Sequence, residues 1–140
     1  MLALLAAALL SVQNSEAGLD CASAVTNVQI DECRGVELEQ ETARMRAYLD
    51  AALTRLREES GAADGLIVEI TDSQAAWAAY ADSACNAVHT HWRDGSIRQS
   101  MFLACKTDLT RERTHHLWRE YLTFVDSTPP ILPEPALPGA

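Results

Sequence analysis

The chain is poor in positive charge. Its 140 residues carry 11 Lys and Arg against 20 Asp and Glu, a formal net charge of -9. Such a protein is repelled by nucleic acid and anionic lipid and drawn to basic partners, so neither nucleic acid nor a membrane surface is expected as a partner. Proline is absent before Pro129, so nothing upstream forbids long helices. No nucleophile elbow, phosphate-binding loop or paired-carboxylate pattern is present, and Asp82 and Glu112 read more simply as solvated or salt-bridged groups. An enzyme is therefore not expected. Metal-ligand spacing is also lacking. His89 and His91 lie on one side of Gly95 and His115 and His116 far on the other, ~20 Å apart in height on paired helices. Neither pair chelates well alone, and the cysteines follow no zinc spacing, so no metal or cofactor is implied.

A run of ~20 apolar residues, enough to cross a bilayer, is missing too. Met1 to Val12 are almost all apolar, and Ser15-Glu16-Ala17 places small residues at the -3 and -1 positions of a cleavage site. Residues 1–17 read as a secretory signal, although without Lys or Arg at the start. Gly18-Leu19-Asp20 lacks the Leu-small-small run that precedes a lipidated cysteine. Removing residues 1–17 takes away only Glu16 and leaves a charge of about -8.

Four cysteines are present, Cys21 and Cys33 near the start and Cys85 and Cys105 around a turn. Gly95 lies ten residues after Cys85 and ten before Cys105. If two antiparallel helices meet at Gly95, both cysteines sit ~15 Å from the turn at one height, as a disulfide requires. Four cysteines allow three connectivities; the pairs expected are Cys21–Cys33 and Cys85–Cys105. Disulfides imply an oxidising compartment, periplasmic or secreted.

Three helical stretches of about 30 residues fill the chain, each ~45 Å long. The first opens on a capping box, Thr26-Asn27-Val28-Gln29, and carries Val36, Leu38, Met45, Leu49, Ala52, Leu53 and Leu56 at near-helical spacing. Gly35 is expected to split it into a short and a long helix, and Ser60-Gly61 to end it. The second runs from near Asp64 to about Arg93. Its β-branched start, Leu66 to Ile70, resembles a strand, but no partner strand exists. The third opens at Ser96-Ile97-Arg98-Gln99, a second capping box, and continues to about Val125. Equal lengths and short loops predict an all-α, antiparallel, up-down-up three-helix bundle with two disulfides. Residues 127–140, with all five prolines, have little to bury and read as a disordered or extended tail. The folded domain is then residues 18–126.

Counting outward from Gly95, Trp77 lies 18 residues before it and Arg113 18 after, Gln74 21 before and His116 21 after. This register places Arg113 against the Trp77 indole and His116 near Gln74, locking two helices together or offering a binding surface.

The run Gln74-x-x-Trp77-x-x-Tyr80-x-Asp82-x-x-Cys85, then Gly95-Ser96-Ile97, Cys105 and Thr110-x-x-Arg113-x-x-x-Leu117, resembles the LprI-type lysozyme-inhibitor domain. Asp20-Cys21 and Cys33 fit its front, so the likeness covers about residues 20–118. It departs from the pattern at Ala81, where arginine usually follows the aromatic, and at Met45-Arg46 in place of Leu-Asn. The resemblance implies a small, secreted, disulfide-bonded helical domain of bacterial envelopes, with Gln74, Trp77, Tyr80, Asp82, Thr110 and Arg113 as its structural or binding residues. The expected function is a protein-binding module that inhibits a basic lysozyme; the alternative is a non-inhibitory structural or interaction domain of the envelope, binding another envelope protein. Glu37, Glu39 and Glu41, with Glu37 and Glu41 sharing a face, read first as a solvated helix face and second as candidates for steering a cationic partner.

Overall fold

The computed structural model describes residues 19–59 and 63–139. The secretory signal read over residues 1–17 and the break read at Ser60-Gly61 lie outside them. A 3-10 turn, Cys21–Ser23, precedes α1 (Asn27–Glu58), α2 (Ala63–His91) and α3 (Arg98–Tyr121), with no strand among the described residues. The class is all-α. The β-branched start of the second stretch is helical, as expected from its lack of a partner strand.

The ends of the helices follow their local chemistry, with three departures from expectation. The capping box at Thr26 forms: Gln29 N–H donates to Thr26 Oγ1 at 3.2 Å, and Thr26 N–H donates to Gln29 Oε1 at 3.1 Å. The one expected at Ser96 does not. Gly95 N–H closes the preceding turn on Trp92 O at 2.8 Å, and α3 starts after Ile97 without a side-chain cap. Gly35 does not split α1, which is continuous through it. Nor does α3 reach Val125. It stops at Tyr121, where Arg55 Nη1 donates to Tyr121 O at 2.6 Å and Thr123 O at 3.5 Å. Terminal carbonyls need such donors, and an α1 arginine supplies them.

Side-chain pairs fix the topology. Asn27 meets Ser96, Asp31 meets Ser100, Glu37 and Glu41 meet Arg111, and Arg55 meets Tyr121, so α1 and α3 run in the same direction. Asp82 meets Lys106 and Gln74 meets Arg113, so α2 runs opposite to α3. Together these give the up-down-up order. The α1 stripe Met45, Tyr48, Ala52 and Leu56 is buried with Ile70, Ala81 and Cys85 of α2 and Leu103 and Leu117 of α3. The rest of the buried α3 face is polar: Ser100, Thr107, Thr110, Arg113 and Thr114. Thr110 and Thr114 satisfy their hydroxyls locally, donating to the carbonyls of Lys106 at 2.7 Å and Thr110 at 2.8 Å. This lets short polar side chains pack without unpaired groups; Thr107 Oγ1 is the exception among the described residues.

The proline-rich tail requires a correction. It has no regular secondary structure, but residues 131–135 are seated in the groove between α1 and α3. Ile131 N–H donates to Leu122 O at 2.9 Å, Trp118 Nε1–H to Leu132 O at 2.9 Å, and Tyr48 O–H to Pro133 O at 2.7 Å. Leu132 packs on Tyr48, Ala52 and Leu122. The composition leaves the tail little to bury, but its carbonyls still accept hydrogen bonds, and Leu132 and Pro135 go inward.

Candidate surface at the α2–α3 seam

Both disulfides form as the spacing predicts, with Cα–Cα distances of 5.7 Å for Cys21–Cys33 and 5.6 Å for Cys85–Cys105. The second fixes α2 against α3. One turn from Cys85 towards the start of α2, Asp82 pairs with Lys106. Further along, the expected register slips. Arg113 does not lie on the Trp77 indole. Its Nε donates to Gln74 Oε1 at 2.9 Å and its Nη2 to Ser73 Oγ at 3.1 Å. Gln74 thus meets residue 113 rather than His116, a helical turn short of the count from Gly95. The turn is not the cause, because Cys85 and Cys105 still face each other at equal counts from Gly95. Counting aligns heights and ignores reach: Lys106 and Arg113 carry long side chains that extend along α2 to Asp82 and Gln74 rather than straight across.

Gln74 also donates from Nε2 to Met45 Sδ at 3.6 Å, tying all three helices at one level. Arg113 is only 8% exposed and has no carboxylate partner among the described residues. Burial pulls its pKa below the ordinary arginine value, partly offset by Tyr121. Thr110 is buried beside it. Of the positions where the sequence departs from the expected pattern, Ala81 and Met45 are core, whereas Arg46 is exposed.

Trp77 and Tyr80 behave differently. Trp77 is half-buried and forms a ridge between two depressions. One, of about 400 Å³, lies over Met45, Leu49, Gln74, Lys106 and Thr110. The other, of about 230 Å³, is lined by Trp77, Tyr80, Leu109, Glu112, Arg113 and His116. Tyr80 is 59% exposed, and Glu112 is exposed beside it. Burial first, then the nearby Arg113 charge, hold the His116 pKa below the usual imidazole value. Its ring meets Tyr121 edge-on at 6.5 Å. The six motif residues therefore divide. Gln74 and Arg113 bond across the seam, Asp82 pairs across it, Thr110 is buried on the α3 side, Trp77 is half-buried and Tyr80 is exposed. Among the described residues no group of three His, Cys, Asp or Glu is placed to share a metal ion.

The acidic residues of α1 also divide. Arg111 Nη2 meets Glu37 Oε1 at 2.6 Å and Glu41 Oε1 at 3.3 Å, and Arg44 adds a further contact to Glu41. Burial disfavours the Arg111 charge, but the bonds to Glu37 and Glu41 outweigh it and raise its pKa. Glu41 is buried, and only Glu39 of the three glutamates remains exposed and unpaired among the described residues. The α2–α3 count could not find Arg111, because no spacing signal aligns α1 with α3.

No helix among the described residues is long and apolar enough to cross a membrane. No curated protein and no solved structure is detectably similar to this chain. The model of one family, described as Lysozyme inhibitor LprI, matches residues 20–117. That span runs from the residue before the first cysteine to the buried Leu117 and takes in both disulfides and the whole seam, so the chain belongs to the LprI lysozyme-inhibitor family.

Proposed function

We propose that this protein is a periplasmic or secreted binding module that inhibits a basic lysozyme, and that it engages the enzyme through the Trp77–Tyr80 face of α2 with Glu112 of α3 beside it. Membership of the family over residues 20–117 carries this reading. The family is one of inhibitors rather than enzymes, and the reading assigns the chain no catalysis. Charge supports it: a net charge of about -8 after removal of residues 1–17 attracts a cationic enzyme over distance. Residue type supports the face. An exposed tyrosine and a half-buried tryptophan beside a carboxylate are the side chains that anchor protein interfaces and receive Lys or Arg. Export by residues 1–17 as a signal accords with the two disulfides, which persist in oxidising compartments.

Inhibition of cell-wall hydrolysis by the purified, oxidised protein tests the reading. Inhibition should be strongest near ~0.05 M salt and weaken towards ~0.5 M, as the Debye length shrinks severalfold. Tyr80→Ala and Glu112→Gln should each weaken it without changing the thermal midpoint by more than a few degrees. A folded, oxidised protein that leaves basic lysozymes fully active even at low salt would place the domain instead among non-inhibitory interaction modules of the envelope.

A further inference from the structure

The groove beneath the tail has the chemistry of a peptide-binding site. Its walls are Tyr48 and Ala52 of α1 and His115, Trp118 and Leu122 at the end of α3. Proline has no N–H, so a segment with prolines in alternation offers mainly carbonyls to its receptor. The groove supplies the matching donors: Trp118 Nε1–H to Leu132 O at 2.9 Å and Tyr48 O–H to Pro133 O at 2.7 Å. One side chain, Leu132, fills the apolar notch formed by Tyr48, Ala52 and Leu122. The next acidic residue, Glu134, meets His115 Nε2 at 3.1 Å. Aromatic walls with hydrogen-bond donors aimed at backbone carbonyls are how proline-rich segments are generally recognised.

These contacts go largely to the main chain and to two apolar side chains, Leu132 and the buried Pro135, so any chain of the same pattern would satisfy them. The native tail is held further by Ile131 N–H on Leu122 O at 2.9 Å and by the buried Pro135, while the side chains of Ile131 and Leu137 each remain 43% exposed.

We propose that the α1–α3 groove is a receptor for an extended segment of a partner protein with the pattern apolar–Pro–acidic–Pro, and that residues 131–135 of this chain fill it until such a segment displaces them. This does not rest on lysozyme inhibition and concerns a different face. The tethered tail competes at an effective concentration of order millimolar, so the intact protein should bind an external peptide weakly. Freeing the groove should reveal its affinity.

The test uses the full chain and a fluorescein-labelled peptide of its own residues 127–139. In the Leu132→Asp protein the tail carries a carboxylate that the apolar notch rejects, so the labelled peptide should bind at least tenfold more tightly than to the unaltered protein. Adding Tyr48→Phe should then weaken binding by roughly fivefold, the loss expected of one hydrogen bond. A second full-length variant, Pro133→Gly with Pro135→Gly, loosens the tail without burying a charge and should show an intermediate gain. Near-UV circular dichroism establishes that each variant keeps the bundle. Native spectra with no saturable binding to either tail variant would overturn the proposal and leave the tail a purely intramolecular strap. Binding indifferent to Tyr48→Phe would overturn it as well.

Discussion

Arg113 Nε donates to Gln74 Oε1 at 2.9 Å, and this bond rather than an indole face receives the buried guanidinium. Gln74 and Arg113 should therefore be coupled, and Trp77 and Arg113 only weakly so. Urea midpoints of Gln74→Ala, Arg113→Ala and the double variant should give a coupling of ~1 kcal/mol. Arg113→Lys should not restore stability, because an ammonium cannot reach Gln74 and Ser73 as a planar fork does. Additive losses would show that the bond contributes nothing to holding the seam.

Glu41 and Glu37 touch the same arginine but differ in burial, with side chains 10% and 47% exposed. Glu41→Gln should cost ~1–2 kcal/mol, since it weakens a charged pair sheltered from solvent. Glu37→Gln should cost less than ~1 kcal/mol, as exposed pairs do. Chemical denaturation of the two single variants decides the order; equal costs would contradict it. Glu37 and Glu41 also join α1 to α3 through Arg111, which leaves Glu39 as the unpaired one of the three glutamates among the described residues.

Gly35 sits mid-helix, and a Cβ added there meets no atom within 4 Å. Gly35→Ala should stabilise the protein by ~0.5–1 kcal/mol, because alanine restricts the unfolded chain and favours the helix. The thermal midpoint should rise. An unchanged or lower one would mean that the first turns of α1 are not helical in solution.

His116 gives the bundle a pH response. Burial, and then the Arg113 charge, lower its folded pKa below the value of about 6.5 that it has when unfolded. The unfolded state therefore binds the proton more readily. The stability at stake is fully present above about pH 6.5 and is lost as pH falls through that value towards the lower folded pKa. His116→Gln should flatten the decline in thermal midpoint between about pH 7 and pH 5. The remaining histidines are common to both proteins, so the difference between the two curves isolates this ring. Parallel curves would remove His116 as the source.

What was legible in the sequence had a local or symmetric signature. Cys85 and Cys105 are equidistant from Gly95, and that symmetry alone pairs them. Thr26 and Gln29 form their capping box within one turn, whereas the same pattern at Ser96 and Gln99 fails because α3 starts a residue later, after the turn that closes on Trp92. The pairing of α1 with α3 had no such marker: Glu37 and Arg111 are 74 residues apart, and no cysteine ties their helices. The Arg113 contact lies a turn from the counted position because counting aligns heights along two helices and is silent on how far a long side chain reaches. The tail was misjudged because proline content reports what the backbone cannot donate and is silent on what its carbonyls receive.

The polar face of α3 sets how the protein responds to temperature. Thr107, Thr110, Thr114, Arg113 and Ser100 occupy positions that an ordinary bundle fills with leucine. Exposing polar surface lowers the heat capacity of unfolding, whereas exposing apolar surface raises it. The bundle should therefore unfold with a smaller heat-capacity change than its length implies, and its stability curve should be broad and shallow. With less apolar burial to draw on, it depends more on its two covalent links, and it should lose little stability on cooling.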